Sequence, residues 1–582
     1  MKIQIAAKPF PTLLLIFLLS FALRILGIGK SPPGLYNDEL YYSISALAQL
    51  NHISSLMVPS FSTSQWIFYF LNGYIGSLYF LGPTVLSSRM PEVIYGSLMI
   101  FPLYLVAKDL TKSHRIAVTA ALLWSISPSA IITSRVGYGI EIFPLFIFLF
   151  IFLFLYRFSR DGEYKYLIIP ALFVSLSVYY TSWFIWLGFP TLVSIISLLL
   201  IFIFEKFGSR LVFLRHRLGS GFFIFMFTFF SIWTLVYLAW RIPSPIHNLL
   251  NSIIPYSSSL PSNNPFGFIL FIKRLIYAIS PANIFIFPLS TNVLAYGSPV
   301  QIPMFYTFLF PFLIIYLVSL FIQIKHPDKS LKSDYLILTL FFAGFLEPLF
   351  NLTNSYTNFE PSEGIFALPF LAIMISSGIV YLLNLIRQKF NPPIKVLQSI
   401  SRPVGRNNIK KIPWDRYLTL LGALLVILSA FSVSSFEYSL NTSTMNYYQN
   451  NPDTLYYPFY GWENASQYLV SNHLNKYPIY YVPGSGGWLN FSNENNLNYW
   501  YYHQEFPNYW LYYFSNGKVK LAGLVTNNVS SLIGNNGSIL LSQEVNFTHI
   551  LRDNGLRFRI LDGIYRQNGQ VAIQIIFLYP RG

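Results

Sequence analysis

Gln65-Trp66-Ile67-Phe68-Tyr69-Phe70-Leu71-Asn72-Gly73-Tyr74-Ile75-Gly76-Ser77-Leu78-Tyr79-Phe80-Leu81 is just long and apolar enough to be taken for a membrane span. If it crosses, every later loop changes side. Basic residues decide the matter, because the cytoplasmic loops of polytopic proteins collect Lys and Arg. With 65–81 counted as non-spanning, the clusters Lys108/Lys112/Arg115, Arg157/Arg160/Lys165, Lys206/Arg210/Arg215/Arg217, Lys325/Lys329/Lys332 and Arg387 to Arg416 all fall on the side of Lys2 and Lys8. Counted as spanning, it exports every one of them. The stretch is therefore read as an interfacial or partly re-entrant helix, in keeping with its interior Asn72, Gly73, Gly76 and Ser77.

Around this stretch the chain reads as a polytopic α-helical membrane protein. Of its 582 residues 54% are hydrophobic and only 10% charged, and the apolar residues gather in repeated runs of spanning length. Spans are predicted near 10–28, 90–107, 116–134, 139–156, 166–182, 184–204, 220–239, 303–324, 335–350, 364–386 and 417–434. That makes about eleven, with the amino terminus cytoplasmic and the carboxyl terminus outside. The run from Phe10 to Ile28 follows Lys2 and Lys8, but it is too long for a signal core and lacks a small-x-small cleavage site; it is read as the first span. The net charge of +16 does not point to nucleic acid. From Phe436 onward acids and bases are equal in number, so the excess belongs to the membrane part, mostly to its short connections. The chain has no cysteine, which excludes disulfides and thiolate metal sites.

The expected organisation is a membrane part, 1–434, with external loops at 29–89 and 241–303, followed by an extracytoplasmic α/β domain, 435–582. Within the second loop, Phe266 to Ile279 reads as a helix lying on the membrane. In the tail, Trp462 to Leu474 reads as a helix, Tyr477 to Val482 and Ser538 to Ser542 as strands, Phe547 to Gly555 as a helix, and Arg557 to Tyr565 with Gln570 to Tyr579 as a hairpin. Asn-x-Ser/Thr sites at Asn441, Asn464, Asn490, Asn528, Asn536 and Asn546 agree with an outward-facing tail. Together with the lack of cysteine and the Ile- and Tyr-rich composition they point to an archaeal plasma membrane.

Asp38 and Glu39, in Pro33-Gly34-Leu35-Tyr36-Asn37-Asp38-Glu39-Leu40-Tyr41-Tyr42, stand out in so acid-poor a chain. A carboxylate pair just outside the hydrocarbon can take a proton from an acceptor, bind a metal, or cap the helix that follows. Asp38-Glu39-Leu40-Tyr41-Tyr42-Ser43-Ile44-Ser45-Ala46 resembles the Asp-Glu-x-x-Tyr-x-x-x-Ala signature in the first external loop of the polyprenyl-phosphate-sugar-dependent glycosyltransferases of the GT-C fold, a group that includes protein O-mannosyltransferases and aminoarabinose transferases of lipid A. Arg89-Met90-Pro91-Glu92-Val93-Ile94-Tyr95-Gly96 resembles the Arg-x-Pro-x-x-x-x-Gly opening of that family's second span. Ser134-Arg135-Val136-Gly137-Tyr138-Gly139-Ile140-Glu141 resembles its second external loop, where members carry another acid. The resemblance runs in order over about residues 10–200; later spans and tail match only in architecture. Two elements depart from it. Ser62-Thr63-Ser64-Gln65-Trp66 replaces a basic motif, and Glu360-Pro361-Ser362-Glu363-Gly364 replaces Glu-x-Arg-Tyr.

The resemblance implies an inverting glycosyltransferase of the outer membrane face, with a lipid-linked sugar donor and a glycan, lipid or protein acceptor. It implies that Asp38 is the base, with Tyr42 as the signature tyrosine. Glu39 then orients Asp38 or the acceptor, or joins Glu141 in a divalent metal site. A departing lipid phosphate needs positive groups, and the cations external by topology are Arg89, Arg135, Arg241 and the pair Lys273-Arg274. Glu347 is the intramembrane acid to watch. No other cofactor is indicated: Gly484-Ser485-Gly486-Gly487 lacks both phosphate-loop patterns, and the histidines show no metal spacing. Two rival readings are a transporter or flippase, which should show internal repeats and broken helices that the sequence lacks, and an inactive glycan-binding scaffold.

Overall fold

The computed structural model describes residues 10–29, 77–135, 142–177, 304–325, 331–346, 365–390, 414–439, 460–482, 506–525, 537–543, 547–566 and 569–580, with single residues and short pieces between 34 and 47 and between 191 and 198. The predicted span 220–239, the helix at 266–279 and most of 65–81 and 184–204 lie outside the described residues.

The membrane part is a bundle of α1 (Phe10–Ile25), α2 (Val85–Leu98), α3 (Ile100–Thr111), α4 (His114–Ile126), α5 (Pro128–Thr133), α6 (Ile142–Asp161), α7 (Lys165–Ser177), α8 (Phe310–Lys325), α9 (Leu331–Leu346), α10 (Leu368–Phe390) and α11 (Trp414–Ser439). Among the described residues, Val85–Thr111, Ile142–Asp161 and Leu368–Ile386 are long and apolar enough to cross a membrane. In α1 the sequence period sorts the faces. Leu13, Ile16, Ser20, Leu23 and Arg24 recur at helical spacing and are buried, while Leu14, Leu15, Leu18 and Leu19 are exposed. The same holds for Val318 and Phe321 on α8 and for Val426, Ile427 and Phe431 on α11. Such broad apolar exposure is stable against lipid and costly in water.

Two helix boundaries differ from expectation. The span predicted at 90–107 begins earlier, at Val85, because Thr84 and Ser87 form a capping box, each backbone N–H bonded to the other's hydroxyl at 3.1 Å. The span predicted at 116–134 is broken between α4 and α5. Ser127 precedes Pro128 and is held extended (ψ 125°), while its hydroxyl caps α5 and donates to the Met304 carbonyl at 2.7 Å.

The tail carries α12 (Trp462–Ser471), β1 (Ile479–Val482), α13 (Phe506–Phe514), β2 (Gly523–Leu524), β3 (Ser538–Ser542), α14 (Phe547–Asp553), β4 (Phe558–Tyr565) and β5 (Val571–Leu578). They build a five-stranded sheet in the order β2-β1-β3-β5-β4, parallel from β2 to β3 and antiparallel from β3 to β4. The expected helices, strands and hairpin are present within a few residues; α13 and β2 were not foreseen. β3, Ser-Ile-Leu-Leu-Ser, is central and buried along its whole length, and each of its aliphatic side chains contributes roughly 1.5–3 kcal/mol by leaving water. Gly461 starts α12 at φ 93°, where a side chain would be strained and would meet Ile564 at 3.1 Å.

Candidate active site

The site is organised by the first turns of α2. Thr84, Ser87, Ser88 and Arg89 each reach a different part of the chain, because successive helical residues point about 100° apart. Arg89 is fully buried and forks onto Glu39, with Nε to Oε1 at 2.8 Å and Nη2 to Oε2 at 3.0 Å. Its Nη1 donates to the Ile28 carbonyl at 2.8 Å and its Nη2 to the Gly34 carbonyl at 2.6 Å. A buried ion pair is stable only when its remaining polar groups are also bonded, and these two carbonyls meet that need. Ser88 Oγ lies 2.5 Å from Ser43 Oγ, which donates to the Glu39 carbonyl at 2.6 Å. Glu39, sequence neighbour of Asp38, is thus held at both its backbone and its carboxylate.

A second set of buried charges lies at the carboxyl end of α1, where helical carbonyls lack intrahelical donors and the dipole favours cations. Arg24 donates to Ser20 O and Oγ, Ser125 O, Trp124 O and Ser134 Oγ at 2.7–3.3 Å, joining α1 to α4 and α5. Arg135 directs Nη2 to Leu23 O and to Glu437 Oε2, both at 2.6 Å. Its Nε and Nη1 are buried with no hydrogen-bond partner among the described residues, as is the Tyr306 hydroxyl. Gly96 lets these groups approach α2. A Cβ there would overlap Ser134 Oγ, stand 2.8 Å from Ser134 Cβ and 3.1 Å from Arg24 Nε, and the Gly96 carbonyl accepts from Trp124 Nε1 at 2.8 Å.

The tail closes over the head of α2. The buried Tyr513 hydroxyl reaches Ser87 Oγ at 3.1 Å and Thr84 O at 3.2 Å, and Trp510 Nε1 donates to Leu35 O at 3.3 Å. Burial pushes the Tyr513 phenol up from its ordinary value, so it stays a neutral donor. Burial raises the carboxyl of Glu463 of α12, with the Val85 N–H and the Arg89 charge opposing.

Of the residues predicted from sequence, the structure brings Glu39 and Arg89 together and sends Arg135 to a different acid, Glu437. Arg89, expected among the cations for phosphate, has its guanidinium committed to Glu39 and two backbone carbonyls. Both carboxylate oxygens of Glu39 accept from Arg89, and Glu141, its partner in the metal site considered, lies outside the described residues. Among the described residues no cluster of His, Asp and Glu could hold a metal. Asp38, Tyr42, Glu141, Arg241, Lys273, Arg274 and Glu347 lie outside the described residues. Sequence reading missed Arg24, Glu437, Trp510 and Tyr513. A cation inside an apolar run was the available signal for Arg24. Glu437 was assigned to the tail, but α11 runs past 434 to Ser439 and carries it into the bundle.

No protein-family model matches the chain, and no curated protein matches it. Among solved structures it is similar to ArnT from Cupriavidus metallidurans bound to undecaprenyl phosphate, at 11% identity over 98% of each chain with a TM-score of 0.49. The same protein in the apo state gives 11% identity over 97% of each chain and a TM-score of 0.48. It is also similar to the archaeal oligosaccharyltransferase AglB from Archaeoglobus fulgidus in complex with an inhibitory peptide and a dolichol-phosphate, at 14% identity over 98% of this chain and 74% of that one, with a TM-score of 0.43.

Proposed function

We propose that the chain is an integral membrane glycosyltransferase of the GT-C type. It transfers a sugar from a polyprenyl phosphate to an acceptor on the outer face, with Asp38 as the base. The observation that carries this reading is the buried fork of Arg89 on Glu39. With the Glu39 carboxylate bound to Arg89 in an anchoring role, Asp38 is the acid of the pair left for proton transfer.

In the reaction Asp38 takes the acceptor hydroxyl proton as that oxygen attacks the sugar C1 from the face opposite the phosphate. The C1–O bond breaks, the polyprenyl phosphate leaves with the electron pair, and the configuration at C1 inverts. Arg135 receives the donor phosphate. Its two buried N–H groups without a partner among the described residues support that role, because such donors are costly unless an anion meets them. Arg241, Lys273 and Arg274 are further cations offered to the phosphate. Tyr42, Glu141 and Glu347 complete the candidate site, and no step runs through a metal.

The test uses the full chain in lipid nanodiscs with radiolabelled polyprenyl-phosphate sugars. Wild type is expected to transfer label, and Asp38→Asn to lose about 10²–10⁴-fold in rate, the usual contribution of a positioned base. No transfer from any donor by wild type, or equal transfer by Asp38→Asn, rejects the mechanism.

A further inference from the structure

Contacts around the head of α2 link the tail to the acidic segment. Tyr513 of α13 reaches Thr84 O and Ser87 Oγ, the two residues of the capping box. Ser88 and Arg89 follow directly and hold Glu39 and its neighbour Ser43. Trp510, one turn before Tyr513, donates to Leu35 O within the same external segment. Trp510 in turn stacks on Trp462 of α12 at 5.4 Å, and Trp462 meets Tyr481 of β1 edge-on at 5.3 Å. A packed path therefore runs from the sheet to the residues beside Asp38. Trp462, Trp510 and Tyr513 are buried in one continuous core with Leu35, Leu40 and Val85.

We propose that Tyr513 and Trp510 are positioning residues for the acidic segment, so that the tail must be docked through α13 for sugar transfer to occur. This rests on the function proposed above. The physical reason is economy of anchoring. Residues 34–47 lie far along the chain from α13, and a segment of this kind loses more conformational entropy on ordering than a few local contacts offset. Contacts from α2 fix it on one side and the indole on Leu35 O on the other, while the phenol holds the capping box from which Ser88 and Arg89 extend. Loss of the Tyr513 hydroxyl leaves the ring packed but frees the cap from which Ser88 and Arg89 extend.

The experiment compares wild type with Tyr513→Phe and Ser87→Ala in nanodiscs; both remove the Tyr513–Ser87 bond, the first also the bond to Thr84 O and the second also the Ser87 half of the capping box. Two quantities are read: amide hydrogen exchange of residues 34–47, with the β3 and β5 amides as the control for a folded tail, and the kcat against KM for the polyprenyl-phosphate sugar. Exchange in 34–47 is expected to rise about tenfold with the strands still protected, and kcat to fall about tenfold with KM within about twofold. Unchanged exchange in 34–47 overturns the proposal, and so does raised exchange with unchanged kcat. If one variant loses strand protection, the other decides. If wild type transfers no sugar, the proposed function has failed, and the exchange measurement alone then decides whether α13 holds the segment.

Discussion

At the scale of single residues, the Glu39–Arg89 pair shows how a charge can be essential without being reactive. Both side chains are fully buried, and the guanidinium carries bonds to two carbonyls besides the carboxylate. Removing one partner strands the other in a medium that solvates it poorly. Arg89→Met is expected to destabilise the protein by about 3–5 kcal/mol, read as a lowered melting temperature in detergent. Glu39→Leu combined with Arg89→Met should restore most of that stability while transfer stays lost, since a hydrophobic pair of similar volume packs but does not hold the segment in register. A single Arg89→Met variant as stable as wild type would show that the pair does not support the fold. The sequence displays both residues inside motifs. Their pairing is invisible there, because they stand 50 residues apart and both carry other plausible roles.

Helices meet where a side chain is missing. Gly96 lies on α2 against Ser134 and Arg24, and Gly378 on α10 against the Phe312 carbonyl of α8, so each marks a crossing that a methyl group would force apart. Gly96→Ala is expected to cost roughly 1–3 kcal/mol by overpacking, offset only in small part by its better helix propensity. Gly29→Ala is the matched control. Nothing lies within 4 Å of its built Cβ, and its effect should stay within about 0.5 kcal/mol. Equal melting temperatures for the two variants would argue against the close approach. Gly96 was legible as part of an Arg-x-Pro-x-x-x-x-Gly pattern, and the crossing supplies its reason. The break at Ser127-Pro128 was missed, since 116–134 reads as one apolar run, and its reason is the restriction that proline places on the residue before it. Helix α13 was missed as well: Phe-Pro-Asn-Tyr-Trp-Leu-Tyr-Tyr-Phe has apolar residues on every face and poor helix formers throughout.

For the whole molecule the decisive quantity is which side each loop faces, and positive charge carries that assignment. The chain has no native cysteine, so single introduced thiols report without background. In intact cells Ser330→Cys should resist a membrane-impermeant maleimide until the cells are permeabilised, whereas Asn464→Cys, at an exposed position on α12, should label at once. The reverse pattern would invert the topology and move the acidic segment to the cytoplasm.

Hydropathy is summed over neighbouring residues, so the sequence by itself determined most of the apolar helices that the structure describes and, β2 excepted, the strands of the tail. It also singled out Asp38, Glu39, Arg89 and Arg135 as candidate site residues. Only the tertiary structure decided their partners: Arg89 with Glu39, Arg135 with Glu437, and Trp510 with Leu35, separated by 50, 302 and 475 residues. The reason is physical. A buried charge or donor must find a complement wherever the packed chain provides one, and no local spacing records which distant residue that is.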